Sequence, residues 1–177
     1  PVVEEYIGEI NKLTGRNYGL FNYYGADDAE DIIIAMGSVT ETIEQTIEEL
    51  NKKGAKYGVV KVHLYRPFST KHLLAAIPST VKRICVLDRT KEPGSAGEPL
   101  YLDVCSAFYG KADAPTVIGG RYGLGSKDTT PTDIKAVFDN LVSAQPKTGF
   151  TVGINDDVTF TSLTYKDELK IAEPGTD

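Results

Sequence analysis

Residues 31–38 read DIIIAMGS, a short apolar run closed by Gly-Ser. The four positions Ile32 to Ala35 are apolar in succession rather than alternately. That pattern marks a strand covered on both faces, as the strands of a parallel sheet are. The next segment carries Val39, Ile43, Ile47 and Leu50 at helical spacing, and Gly54 stops it. Ser38 with Glu41 three residues on has the form of a capping box, and Glu48 and Lys52 stand four apart in the favourable order. The stretch reads as a strand feeding a helix.

The same event recurs outward from this unit. Tyr57 to Leu64 (YGVVKVHL) is rich in valine and reads as a second strand. It runs into LYRPFS, where Ser69 caps a short helix carrying Leu73, Leu74 and Ile77 that Pro78 ends. Arg83 to Leu87 is a third strand, followed by the charged loop Asp88 to Gly97 and a helix that starts near Pro99 and turns Leu100, Val104, Ala107 and Phe108 inward. Thr116 to Ile118 is a fourth strand, and Gly119 to Thr130 a glycine-rich loop. Thr130-Pro131 with Asp133 then opens a helix with Ile134, Val137, Phe138 and Leu141 inside. Four such events predict an α/β fold: a mainly parallel twisted sheet with helices on both faces. Its loops gather along one edge, where folds of this kind place their ligands.

The two ends are of another character. Val2, Val3, Tyr6, Ile7, Ile10 and Leu13 fall near one face of an N-terminal helix that Gly15 can end. Residues 18–25 (YGLFNYYG) read as an extended aromatic connector, with Tyr18, Tyr23 and Tyr24 either anchoring it to a partner domain or stacking on a ligand. Residues 150–177 alternate weakly and are polar, a fifth strand or an arm.

At 177 residues the chain is long enough to bury a real core. Its net charge of −6 shows no basic face, which argues against nucleic acid as a partner. No apolar run approaches the ~20 residues of a membrane span, and the acidic start PVVEEYIGEI is unlike a signal peptide. Two cysteines, Cys85 and Cys105, read as buried free thiols in a reducing cytoplasm and cannot supply the four thiolates of an iron–sulfur cluster. The chain begins with Pro rather than Met, which reads as a piece of a longer or processed chain.

With these elements placed, the segments IIAMGSVTETIE, GVVKVHLYRPFS, VLDRTKEPGSAGEPLYLDV, GGRYGLGSKD and FTVGINDDVT carry a resemblance. In that order they resemble core domain II of the pyruvate:ferredoxin (or flavodoxin) oxidoreductases, a domain similar to the C-terminal domain of transketolase-like enzymes. The resemblance runs from about Ile32 to Thr159. It implies a parent enzyme that uses thiamine diphosphate, Mg²⁺ and 4Fe–4S clusters. Such an enzyme converts pyruvate and coenzyme A to acetyl-CoA and CO₂, and reduces ferredoxin or flavodoxin, usually as a homodimer. It also implies a division into residues 1–27 as an arm from a preceding domain, 28–147 as the core domain, and 148–177 as an arm into the next. The chain lacks the Gly-Asp-Gly and distant Asn that bind the diphosphate of thiamine, and Asn155-Asp156-Asp157 does not fit that pattern. The expectation is a non-catalytic piece that organises its neighbours and is inactive alone.

The candidate residues follow from the loops. In RYGLGSKD, Gly125, Ser126, Lys127 and Arg121 form either a phosphate cradle, for which coenzyme A is the ligand the resemblance implies, or a tight inter-domain turn. The P-loop pattern is absent. Arg66, Arg89, Lys91 and Glu98 are candidates for ion pairs across a domain interface, and Glu92 belongs with them; the charges of the 88–98 loop alternatively gate substrate. Arg66, Arg89 and Arg121 follow three successive strands and suit carboxylates or phosphates of a neighbour, or stay solvated. His63 and His72 lack the companions of a metal site. Asp156-Asp157 reads as a turn or a hard-cation site. A free-standing small metabolite-binding protein is the remaining alternative.

Overall fold

The computed structural model describes residues 2–155, 158–165 and 168–171. Elements run α1 (Val2–Thr14), β1 (Phe21–Gly25), β2 (Asp31–Met36), α2 (Val39–Lys52), β3 (Tyr57–Val62), α3 (Thr70–Ala76), β4 (Arg83–Asp88), α4 (Pro99–Phe108), β5 (Thr116–Arg121), α5 (Pro131–Leu141) and β6 (Phe150–Thr151). The six strands form one sheet in the order β1-β3-β2-β4-β5-β6. β1 is antiparallel to β3, and every other pairing is parallel.

β2 shows why the layers lie where they do. Ile32, Ile33, Ile34 and Ala35 are all wholly buried, and successive side chains point to opposite faces. Ile33 and Ala35 enter a core with Val39, Ile43 and Ile47 of α2 and Ile134, Val137, Phe138 and Leu141 of α5. Ile32 and Ile34 enter a second core with Leu73 of α3 and Leu100 and Val104 of α4. The expected α/β architecture, a mainly parallel sheet with helices on both faces, is the one observed.

The last crossover departs from the first three. β2–α2–β3 moves toward β1 and lays α2 on one face, whereas β5–α5–β6 moves the opposite way and lays α5 on that same face. α3 and α4 cover the other face while the chain moves away from β1. The final unit is therefore of opposite hand to the others, against the strong preference for a single hand. Phe150 offsets this by full burial beside Gly120, where a Cβ would meet the Phe150 ring at 2.3 Å.

Several local readings change. Residues 18–25 are not a connector throughout: Phe21–Gly25 is an edge strand paired in register with β3, Phe21 opposite Val62 and Gly25 opposite Gly58. Its aromatic residues alternate, Phe21 and Tyr23 on the α3/α4 side and Tyr24 on the α2 side, and so close the open edge of β3. Gly25 has φ 134°, and a Cβ there would lie 2.5 Å from both the Gly58 Cα and the Tyr57 carbonyl oxygen. The Ser38–Glu41 capping box does not form, because Ser38 is itself helical (φ −62°, ψ −24°) and not extended as a capping residue is. The cap that does form is Thr130–Asp133 at α5, where each side chain bonds the other's backbone N–H. Ser69 makes no capping bond to α3. Tyr24 donates to Glu48, and the neighbouring Glu49–Lys53 pair closes at 2.8 Å. The fourth strand runs on to Arg121, so Gly119 and Gly120 lie in the sheet rather than in a loop. Cys85 is buried, whereas Cys105 is only half-buried.

Phe138 is wholly buried and stacks on Tyr57 with ring centroids 4.1 Å apart. Phe138→Ala is expected to lower the unfolding free energy by about 3–5 kcal/mol in urea titration.

Candidate functional site

The carboxyl ends of β2, β4 and β5 open onto two clefts. One, of about 440 Å³, lies where the strand order reverses around β2. Ser38 at the head of α2, Arg89 after β4, and Tyr122, Gly123, Lys127 and Asp128 after β5 are among its walls. Crevices of this kind are where open α/β sheets bind ligands. Tyr122 is buried and its hydroxyl donates to the Met36 carbonyl at 3.2 Å, which ties the loop after β5 to the end of β2. Burial raises the Tyr122 pKa. Gly123 has φ 62°, and a Cβ there would meet Nε of Arg89 at 2.9 Å. The Arg89 side chain thus lies across the Gly123 backbone. Among the described residues neither Arg89 nor Lys127 stands in an ion pair, and both are exposed. Glu41 lies on the same walls as Asp128, so the crevice carries charges of both signs.

The second cleft, of about 410 Å³, lies under the loop 91–97 and is bounded by Glu98, Tyr101, Arg121, Thr148 and Gly149. Two of its charges, Glu98 and Arg121, pair with each other. Glu98 is 3 % exposed, and its Oε1 accepts from Nε of Arg121 at 2.6 Å. Nη1 of Arg121 donates to the Gly149 carbonyl at 2.8 Å. At the end of β4, Asp88 is 5 % exposed and accepts from the backbone N–H groups of Leu100 and Tyr101 at 3.0 and 3.1 Å. It caps α4 from a neighbouring strand, where the local residue Glu98 makes no capping bond. Burial pushes the Asp88 carboxyl above the ordinary 3.8, and the two backbone bonds offset this only in part.

The residues expected to act together are therefore divided. Lys127 and Arg89 share the first crevice. Gly125 and Ser126 are exposed, with φ of 63° and 57°, and do not line it. Arg121 faces Glu98 and Gly149 instead, and Lys91 and Glu92 line the second cleft. Arg66 pairs with Asp103 at 2.8 Å and lies over the Tyr65 ring at 3.8 Å. The three arginines after three strands do not form one guanidinium cluster. His63 meets the Tyr18 ring edge-on at 5.5 Å. His72 lies between Ser69 Oγ at 2.6 Å and Glu4 Oε1 at 2.8 Å, an array that unites α1 and α3. Tyr23 and Tyr24 border a hollow at the opposite end of the sheet. Asp156 and Asp157 lie outside the described residues.

The sequence reading missed the Asp88 cap and the Glu98–Arg121 pair. Asp88 opening a polar loop after an apolar strand was the available signal for the first. The second joins residues 23 apart and had no local signal.

Among the described residues no three His, Cys, Asp or Glu side chains gather as a metal site, and no helix is long and apolar enough to cross a membrane. Two cysteines cannot complete the four thiolates of an iron–sulfur cluster, and the described carboxylates do not gather to hold a metal-bound diphosphate.

A family model described as pyruvate:ferredoxin oxidoreductase core domain II matches residues 29–134. A pyruvate-flavodoxin oxidoreductase of Enterobacter agglomerans is 59% identical over 176 residues, covering 99% of this chain and 15% of its own length. A pyruvate:ferredoxin oxidoreductase of Moorella thermoacetica is 53% identical over 175 residues, with the same two coverages. The chain thus spans about 15% of the length of these curated relatives. The solved structure of a 2-oxoglutarate:ferredoxin oxidoreductase from Magnetococcus marinus, with 2-oxoglutarate, coenzyme A and succinyl-CoA bound, matches with TM-score 0.52 and 15% identity. That match covers 80% of this chain and 23% of the other, and shows a shared fold.

Two expectations follow. Glu98→Ala leaves Arg121 without its carboxylate in a closed setting and is expected to cost about 3–5 kcal/mol of unfolding free energy in urea titration. Asp88, whose folded pKa is raised, adds stability that is full below the ordinary 3.8 and is lost as pH rises through the raised value. Asp88→Asn cannot ionise, so the unfolding free energy of the wild type relative to Asp88→Asn is expected to fall as pH rises above the ordinary 3.8 in denaturant titrations.

Proposed function

Since the chain belongs to the pyruvate:ferredoxin oxidoreductase core domain II family, we propose that it is a non-catalytic domain of a thiamine-diphosphate-dependent oxidoreductase and that it organises the catalytic domains of that enzyme. The parent reaction takes pyruvate and coenzyme A to acetyl-CoA and CO₂ and passes the electrons to ferredoxin or flavodoxin. Thiamine diphosphate, Mg²⁺ and 4Fe–4S clusters are held by other parts of a cytoplasmic, homodimeric polypeptide. In this division residues 28–147 are the core domain, and 1–27 and 148–177 lead to its neighbours.

The observation that carries the reading is the state of the loop edge. Where an α/β fold usually displays reactive groups, Asp88 caps a helix and Glu98 holds Arg121. These groups stiffen the edge, and a stiff edge is what positions neighbouring domains. Among the described residues, no nucleophile with a base and a third orienting group opens into either cleft.

A second reading, phosphate binding for coenzyme A, has Arg89, Lys127 and the start of α2 in its favour. Glu41 and Asp128 oppose it on the same walls.

Kinetics of the full-length enzyme separate the two. Under the organising reading, Lys127→Ala and Arg89→Ala leave the KM for coenzyme A and its salt dependence within about twofold of wild type. A rise in KM of about tenfold or more, with kcat unchanged, establishes the phosphate site instead. The 177-residue chain alone is expected to show no pyruvate-dependent acceptor reduction; turnover by it would overturn the organising role.

A further inference from the structure

α1 rests on the domain by the wrong side for an amphipathic helix. Ile7, Gly8 and Asn11 are its partly covered positions. Asn11 fixes it by donating to the Tyr18 carbonyl and accepting from the Tyr18 N–H, both at 2.8 Å, and Glu4 meets His72 across to α3. Its apolar stripe turns away. Val2, Val3, Tyr6, Ile10 and Leu13 recur at three- and four-residue spacing, and they are 64, 42, 61, 47 and 86 % exposed. A helix of this pattern is stabilised chiefly by burying such a stripe. Here the stripe is held outward by specific hydrogen bonds along the opposite face.

What covers it follows from chain length and charge. The Enterobacter agglomerans relative matches nearly all of this chain with 15% of its own residues, so most of that polypeptide lies outside the matched segment. Glu5 and Glu9, both exposed, run along one border of the stripe. A complementary surface is therefore apolar at its centre and lysine- or arginine-bearing at its rim.

We propose that the outward stripe of α1 docks against another domain of the longer polypeptide, through an apolar surface with a basic rim. This rests on the reading of the chain as one domain of a larger oxidoreductase.

The test uses the full-length enzyme with the photoreactive residue p-benzoylphenylalanine in place of Tyr6. After irradiation, adducts are mapped by peptide mass spectrometry. The expected result is a cross-link from α1 to a peptide of the polypeptide outside the segment matching residues 1–177. A cross-link confined to that segment, in the same chain or in a second copy, overturns the proposal, as does the absence of any adduct. The two failures are separable. An enzyme that oxidises pyruvate but gives no such adduct removes only the docking surface, whereas a full-length polypeptide without pyruvate oxidation removes the reading of function.

Discussion

One strand has to satisfy two cores at once, and the rest of the molecule is arranged around that requirement. β2 lies inside the sheet between β3 and β4, and its backbone groups are engaged on both edges. Its side chains enter opposite layers and are excluded from water from Ile32 to Ala35. Neither layer can be left open, since each would expose a continuous apolar surface. α2 and α5 close one side, α3 and α4 the other. The connecting loops are then forced to the ends of the strands, which brings Gly37-Ser38, Asp88-Arg89 and Arg121-Tyr122 to a common edge.

The buried charges at that edge work inward. Asp88 lends its carboxylate to the first turn of a helix that has no local cap, and Glu98 and Arg121 join that helix to β5 and to the segment before β6. An ion pair in so closed a setting gains little net stability over a well-packed apolar pair, but losing one partner is costly. Its consequence is geometric: α4, β5 and β6 keep a single arrangement. The reversed hand of the last crossover makes that anchoring more needed, because β6 pairs with β5 over only two residues. An edge locked in this way is what the proposed organising role requires.

The glycine-rich stretch shows how one composition can serve different ends. A Cβ on Gly119 would meet the Tyr101 ring at 2.9 Å, and one on Gly120 the Phe150 ring at 2.3 Å. These two residues admit aromatic rings on opposite faces of the strand. Gly123 and Gly125 adopt left-handed conformations in the turn that follows. Four glycines that read as one glycine-rich loop are two packing positions and two turn positions. The ligand reading of that loop rests now on Lys127, with Arg89 from the neighbouring strand end.

The core strands and helices were legible because each repeats a local rule: successive apolar residues for a two-sided strand, three-and-four spacing for a covering helix, and Gly or Pro at the breaks. Ile32 to Ala35, the α2 stripe and the Thr130-Pro131 start of α5 needed nothing beyond their neighbours in sequence. By itself the sequence thus determined the layer architecture, together with the resemblance that names the family. It did not determine that Phe21–Gly25 joins the sheet, because an antiparallel edge strand is chosen by the partner it finds in β3, more than thirty residues away. Nor did it determine which charged groups stay free. Arg121, Arg89 and Arg66 look alike in sequence, each following a strand. Only the tertiary structure places Glu98 beside the first, Asp103 beside the third, and leaves the second across the Gly123 backbone. The physical reason is that an ion pair depends on distances between chain-remote atoms, whereas burial on two faces depends on a pattern written in adjacent residues.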